Sequence, residues 1–169
     1  MRRILIVLAS FAVVSIAAET RVGAQSSSAT ASLAISASVA KNCTITTTPV
    51  AFGSYDSVTT NATAPLDGVG AVIVTCTKGA PAKVGLNDGG NAQGTTRRMS
   101  QGAADFLTYE LYKDTGHATR WGNTVDTSLD IPAAPSQTPR SFPVYGRVAP
   151  AQAVAVGSYT DTVMATVNF

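Results

Sequence analysis

From Ala29 to Val39 the chain alternates with a period of two. Ala29, Ala31, Leu33, Ile35, Ala37 and Val39 are apolar, and Thr30, Ser32, Ala34, Ser36 and Ser38 between them are small or polar. Side chains of a β-strand point alternately to opposite faces, so this row predicts a strand with one apolar face. Extended, residues 29–39 reach about 36 Å at ~3.3 Å each, longer than a common strand. The row follows the polar run Gln25 to Ser28 and stops just short of Cys43.

Further strands are expected over 43–52, 69–77, 82–87, 106–113, 140–149 and 158–169. The first is broken by Pro49, and the second is apolar on both faces, as a central strand would be. The last places Tyr159, Val163, Ala165, Val167 and Phe169 on one face, against Thr160, Thr162, Met164, Thr166 and Asn168. Connections rich in Gly, Asn, Asp and Pro, such as Asn87-Asp88-Gly89-Gly90, supply the turns. Residues 88–105 and 114–138 read as long polar loops. No 3.6-residue stripe of large apolar residues competes with these strands, and the pattern argues an all-β sandwich.

The N-terminus reads as an export signal over residues 1–24. Arg2 and Arg3 precede the apolar stretch Ile4 to Ala18, and Val22-Gly23-Ala24 offers a cleavage point that leaves Gln25 first. Ser15-Ile16-Ala17 is a second candidate, and an uncleaved anchor is the alternative. Setting aside Arg2, Arg3, Arg21 and Glu19 leaves nine basic and nine acidic residues, so the surplus of +2 belongs to the signal. A neutral chain has no electrostatic footprint for nucleic acid, and low net charge removes a barrier to self-association. Two cysteines in an exported chain, Cys43 and Cys76, read as a disulfide. The remainder is long enough for one domain with a real core.

No catalytic, cofactor-binding or metal site emerges. There is no Gly-x-Ser-x-Gly elbow, no phosphate-binding glycine motif and no calcium-loop carboxylate cluster. The single histidine, His117, sits between Gly116 and Ala118 and is expected at the surface. Asn42-Cys43-Thr44 and Asn61-Ala62-Thr63 match a glycosylation pattern that short sequences meet by chance. Tyr109, Tyr112, Trp121 and Tyr145 are either packing aromatics or a glycan platform, and packing is the plainer reading. The expectation is a non-enzymatic protein with no small-molecule substrate.

An immunoglobulin-like sandwich needs about seven strands. After Cys43 the pattern supplies six, and residues 29–39 would be the seventh. Such a strand either folds into its own domain or completes the sheet of a neighbour, as in β-strand addition. Periodicity does not choose between the two.

A series of short motifs bears on that choice. In order they are Cys43 after the alternating row, Phe52-Gly53-Ser54-Tyr55, Val74-Thr75-Cys76-Thr77, Arg98-Met99 before Leu107-Thr108-Tyr109-Glu110-Leu111-Tyr112, Trp121-Gly122, Val144-Tyr145-Gly146-Arg147 and Gly157-Ser158-Tyr159-Thr160-Asp161-Thr162-Val163. With them the chain resembles the spore coat protein U domain, the subunit type of archaic chaperone–usher (Csu-type) pili, over nearly all of its length. The resemblance implies an incomplete immunoglobulin-like β-sandwich completed by strand donation. A periplasmic chaperone would lend a strand, and an outer-membrane usher would exchange it for the extension of an identical or homologous subunit. The product would be a surface fibre for attachment and biofilm formation.

By position, residues 25–40 would be the extension and residues 41–169 the domain. Ala29, Ala31, Leu33, Ile35, Ala37 and Val39 would be the donor row, Cys43–Cys76 the family's disulfide, and Tyr159, Val163, Ala165, Val167 and Phe169 the chaperone-facing strand. With no length for a receptor domain, a shaft subunit is expected. A spore or cell coat protein, or a monomeric secreted binding module with the strand in cis, are the alternatives.

Overall fold

A computed structural model describes residues 26–102 and 104–169 together with Gly23. The expected export signal lies outside the described residues except at Gly23. The chain divides into two units, residues 1–37 and 38–169. In the first, residues 26–37 form no strand and are exposed. The expected strand over 29–39 is therefore absent from this chain as it stands.

The second unit is built from strands β1 (Cys43–Thr48), β2 (Leu66–Cys76), β3 (Ala82–Leu86), β4 (Arg97–Gln101), β5 (Asp105–Tyr112), β6 (Leu129–Ile131), β7 (Arg140–Val148) and β8 (Ala165–Asn168). A single 3₁₀ turn at Thr60–Ala62 is the one helical piece among the described residues. One sheet runs β1-β2-β7-β5-β4 and the other β6-β3-β8, with every pairing antiparallel. Inward side chains of both sheets meet in one core: Val72, Val74, Val84, Leu86, Leu107, Leu111, Ile131, Val144 and Val148. At about 25 cal/mol per Å² of apolar surface, each such valine or leucine contributes roughly 1.5–3 kcal/mol.

Trp121 is fully buried at the centre of this layer. Its indole N–H donates to the Val84 carbonyl at 2.9 Å, which satisfies its one donor in an apolar setting. Arg97 is also fully buried. Its guanidinium donates to the carbonyls of Leu86, Asn87 and Trp121 at 2.7–2.8 Å and pairs with Glu110. Glu110 in turn accepts from Arg120, which reaches Asp88 at 2.6 Å. A buried cation is tolerated only when its donors are met in this way.

Three expectations are corrected. The loops expected over 88–105 and 114–138 contain β4 and β6. The strand expected to be buried on both faces, β2, is buried on one only: Val72 and Val74 point inward, while Val69 is exposed and Ile73 half-buried. The strand expected over 158–169 is a four-residue strand, β8, preceded by an isolated bridge between Thr160 and Ser100. Pro143 is accommodated within β7 because β5 pairs only with residues 145–148, so the missing N–H faces no ladder.

Cys43 and Cys76 form a disulfide and are directly opposed in the β1–β2 register. The bond staples two neighbouring strands of one sheet, and closing a loop of this length stabilises by about 3–4 kcal/mol in the chain-entropy account.

Candidate functional site: an open apolar groove

Pro49 ends β1, and the chain that follows leaves the sheet edge to lie across its inner face. It can do so because the floor there is glycine. A Cβ on Gly70 would stand 2.7 Å from the Thr48 carbonyl oxygen and 2.8 Å from that of Pro49, and one on Gly68 would stand 2.9 Å from that of Ala51. A Cβ on Gly146 of β7 would meet the Phe52 ring at 2.7 Å. Glycine is thus required by close backbone approach at Gly68 and Gly70, and by the Phe52 and Val50 side chains packed onto Gly146. Phe52 packs edge-on against Tyr109, centroids 6.0 Å apart. Further along, the Tyr55 hydroxyl donates to the Ala149 carbonyl and accepts from the Gln152 N–H, both at 2.9 Å, which pins this first wall.

The second wall is the C-terminal stretch from Val154 to Ala165. Between the walls lies a groove in two parts, of about 440 and 770 Å³, that share Val50, Phe52, Met99 and Tyr159 and so are continuous. Leu107, Leu111, Val144 and Val148 lie along its floor. The residues on its flanks are largely apolar, as in a seat for an extended segment.

Both walls have open backbones. Among the described residues, the peptide groups of 49–55 make no backbone–backbone hydrogen bond. On the other wall, hydrogen bonding alternates. Thr160 exchanges bonds with Ser100, the Thr162 carbonyl accepts from Gly90, and the Met164 carbonyl accepts from Asn87. Asp161 and Val163, between them, present peptide groups without backbone partners. An edge with free donors and acceptors above an apolar cleft is a template for one more strand.

The wall is fixed by contacts on its groove-side row. Asp161 accepts a 2.6 Å hydrogen bond from the Tyr109 hydroxyl and 3.1 Å bonds from the N–H and side-chain amide of Asn91. Burial, and then the Asp161 carboxylate, push the Tyr109 hydroxyl far above its ordinary pKa, so it remains a donor.

Of the residues singled out in sequence, Tyr159, Val163, Ala165 and Val167 are half-buried on the groove-side row, and Phe169 is exposed at its end. Leu33, Ile35 and Val39 are 85, 88 and 85% exposed, and Ala29, Ala31 and Ala37 are exposed as well. The first wall, Asp161 and the Asn87–Asn91 turn were not anticipated as parts of one site. The glycines at 68, 70 and 146 were the available signal, since glycine inside a strand marks close approach.

His117 is corrected: its side chain is only 8% exposed, edge-on to Tyr112 and Tyr145, with Nε2 3.7 Å from Asp67. A left-handed backbone (φ 54°) at His117 goes with this burial inside a polar loop. Asn61 is buried and its side chain holds the Asp56 N–H and the Ala64 carbonyl, so the glycosylation match there is not presented to solvent. Trp121 and Tyr109 are core, not platform. Among the described residues no group of His, Cys, Asp and Glu side chains is placed to hold a metal ion, and no helix is long and apolar enough to cross a membrane.

Comparison with known proteins agrees with this geometry. The chain is 37% identical over 159 residues to Protein U of Myxococcus xanthus, covering 86% of this chain and 88% of that protein. Its fold is similar to a chain of the CsuC–CsuE chaperone–tip adhesion subunit pre-assembly complex from archaic chaperone–usher Csu pili of Acinetobacter baumannii, with a TM-score of 0.56 and 24% identity. That match covers 78% of this chain and 40% of the other, so the chain spans less than half of the structure it matches. The family model of the Spore Coat Protein U domain matches residues 29–166, and the chain belongs to that family.

Proposed function

We propose that this chain is an exported structural subunit of a surface pilus, assembled by donor-strand exchange along a chaperone–usher route. The observation that carries the reading is the groove: an apolar cleft flanked by two backbones with unmet hydrogen-bonding groups. Residues 29–39 of a neighbouring copy, or of a homologous subunit, have the form of its occupant. Their apolar row would face the floor while their backbone bonds to both walls. Leu33 and Ile35 are the largest side chains of the row and contribute roughly 1.5–3 kcal/mol each on full burial. Until exchange at an outer-membrane usher, a periplasmic chaperone fills the groove, meeting Tyr159, Val163, Ala165, Val167 and Phe169. Residues 1–24 direct export, and the finished fibre serves attachment and biofilm formation at the cell surface. The fold shared with a chaperone-bound pilus subunit supports the route.

The test compares mature residues 25–169 with residues 41–169 and with Leu33→Asp/Ile35→Asp, all oxidised, by light scattering and unboiled gels. The mature chain gives ladders, and both altered forms lose them while keeping the disulfide-bonded domain folded. Ladders from the double variant, or a stable monomer of the mature chain that unfolds on truncation, overturn the reading.

A second reading is favoured by the 37% identity with Protein U and by the family's name: a structural protein of a spore or cell coat that uses the same groove. Cell fractionation separates the two. Coat association without any usher requirement selects the second, and loss of surface material when the usher is removed selects the first.

A further inference from the structure

The second groove wall has little sheet to hold it. Only Ala165–Asn168 pairs with β3, and residues 160–164 have the one bridge to Ser100. A turn grips them instead. The Asn87 side-chain oxygen accepts from the Met164 N–H at 2.8 Å while the Asn87 N–H donates to the Met164 carbonyl. Gly90 N–H donates to Thr162, and Asn91 donates to the Thr160 carbonyl and, twice, to the Asp161 carboxylate. The turn is itself tied to the fold: Arg97 holds the Asn87 carbonyl and Arg98 the Asn91 carbonyl at 3.0 Å. Gly89, at φ +91°, faces Asp161 so closely that a Cβ there would stand 2.0 Å from Oδ2.

We infer that Asp161, gripped by Tyr109 and the Asn87–Asn91 turn, is a positioning residue that holds the empty groove open in strand-accepting form. The inference rests on the donor-strand reading. A segment with a free edge and no ladder on its other side would otherwise sample many conformations. An incoming strand would then have to order the wall as well as itself, and that ordering opposes association. The Asp161 carboxylate is taken up by the turn and Tyr109, while the Asp161 peptide group is left for the incoming backbone, so the effect of removing the carboxylate falls on arrival rather than on the seated strand.

The test uses the mature, oxidised full-length chain carrying Leu33→Asp/Ile35→Asp as acceptor, with a fluorescent peptide of residues 26–41 as probe. Association and dissociation rates are measured by anisotropy for this acceptor and for versions that add Asp161→Ala or Tyr109→Phe. Tyr109→Phe keeps the ring in the core and removes only the hydroxyl, so it remains informative if Asp161→Ala does not fold. Asp161→Ala slows association about tenfold and Tyr109→Phe slows it less, while dissociation stays within about twofold. Unchanged association in both versions, or faster dissociation alone, overturns the positioning role and leaves the groove reading intact. No binding by the parent acceptor overturns both.

Discussion

The guanidinium of Arg97 has lost all contact with water, and three carbonyls and the Glu110 carboxylate stand in for it. Arg97→Ala removes the partner of all four and leaves them facing a void. The expected cost is about 3 kcal/mol, the lower end for breaking a buried pair because Glu110 keeps Arg120. Urea unfolding of the Leu33→Asp/Ile35→Asp background, which excludes assembly, measures it. A midpoint unchanged from the parent contradicts this account. Asp67 is the opposite case, a carboxylate 44% exposed that accepts two bonds from Arg147 at 2.6 and 2.7 Å. Those bonds hold its pKa below the ordinary carboxylate value. A depressed folded-state pKa contributes stability above the unfolded value of about 3.9, and that contribution is lost as pH falls through the folded value. Asp67→Asn should therefore melt below the parent at pH 6, by no more than about 1 kcal/mol for an exposed pair, and the two should converge toward pH 2. A gap that widens in acid reverses the sign and sinks the assignment.

At the scale of elements, the crossing of the sheet by residues 49–52 decides whether there is a groove at all. Gly70→Val places a side chain where the Thr48 and Pro49 carbonyls and the Val50 methyl now sit, each within 2.8 Å of the built Cβ. Neighbours that are backbone cannot swing aside, so the first wall lifts. We expect a loss of about 1–3 kcal/mol and slower strand seating, both measurable on the acceptor described above. Seating at the parent rate would mean that the wall is not set by this contact.

This wall also marks where sequence reading stops. The strands at 43, 82, 105 and 140 were legible from short β-branched or aromatic runs between turn signals, and the one at 66 from its apolar run over 69–77. β4 was not, since Arg97-Arg98-Met99-Ser100-Gln101 has no apolar row: of its inward residues Arg97 and Met99, the fully buried one is an arginine. β6 is a three-residue strand, too short to show a period. The row 159–167 was legible in its alternation, and burial follows it, but a continuous strand needs a ladder on at least one side, and residues 159–164 have only the bridge to Ser100. The grip of the Asn87–Asn91 turn on Asp161 joins residues seventy positions apart, which no local period encodes.

At the scale of the whole molecule, on the proposed reading every copy brings one row and one groove, and the two face different neighbours. Such a head-to-tail contact extends into a filament wherever the rotation between successive copies does not close it into a ring. The balance of nine basic and nine acidic residues after residue 24 leaves little repulsion to oppose stacking.

A filament anchored at one end and attached at the other carries load. Tension arriving through a seated extension would enter this domain at Cys43, the first residue of an edge strand, which is the easiest kind to peel away. The disulfide there hands the pull at once to Cys76 on β2, which is laced to β7 over the register Leu66–Val74. To detach β1 would then mean breaking a covalent bond or shearing the middle of the sheet, so a staple that stabilises the domain by about 3–4 kcal/mol at rest would also be the main tether in a stretched fibre.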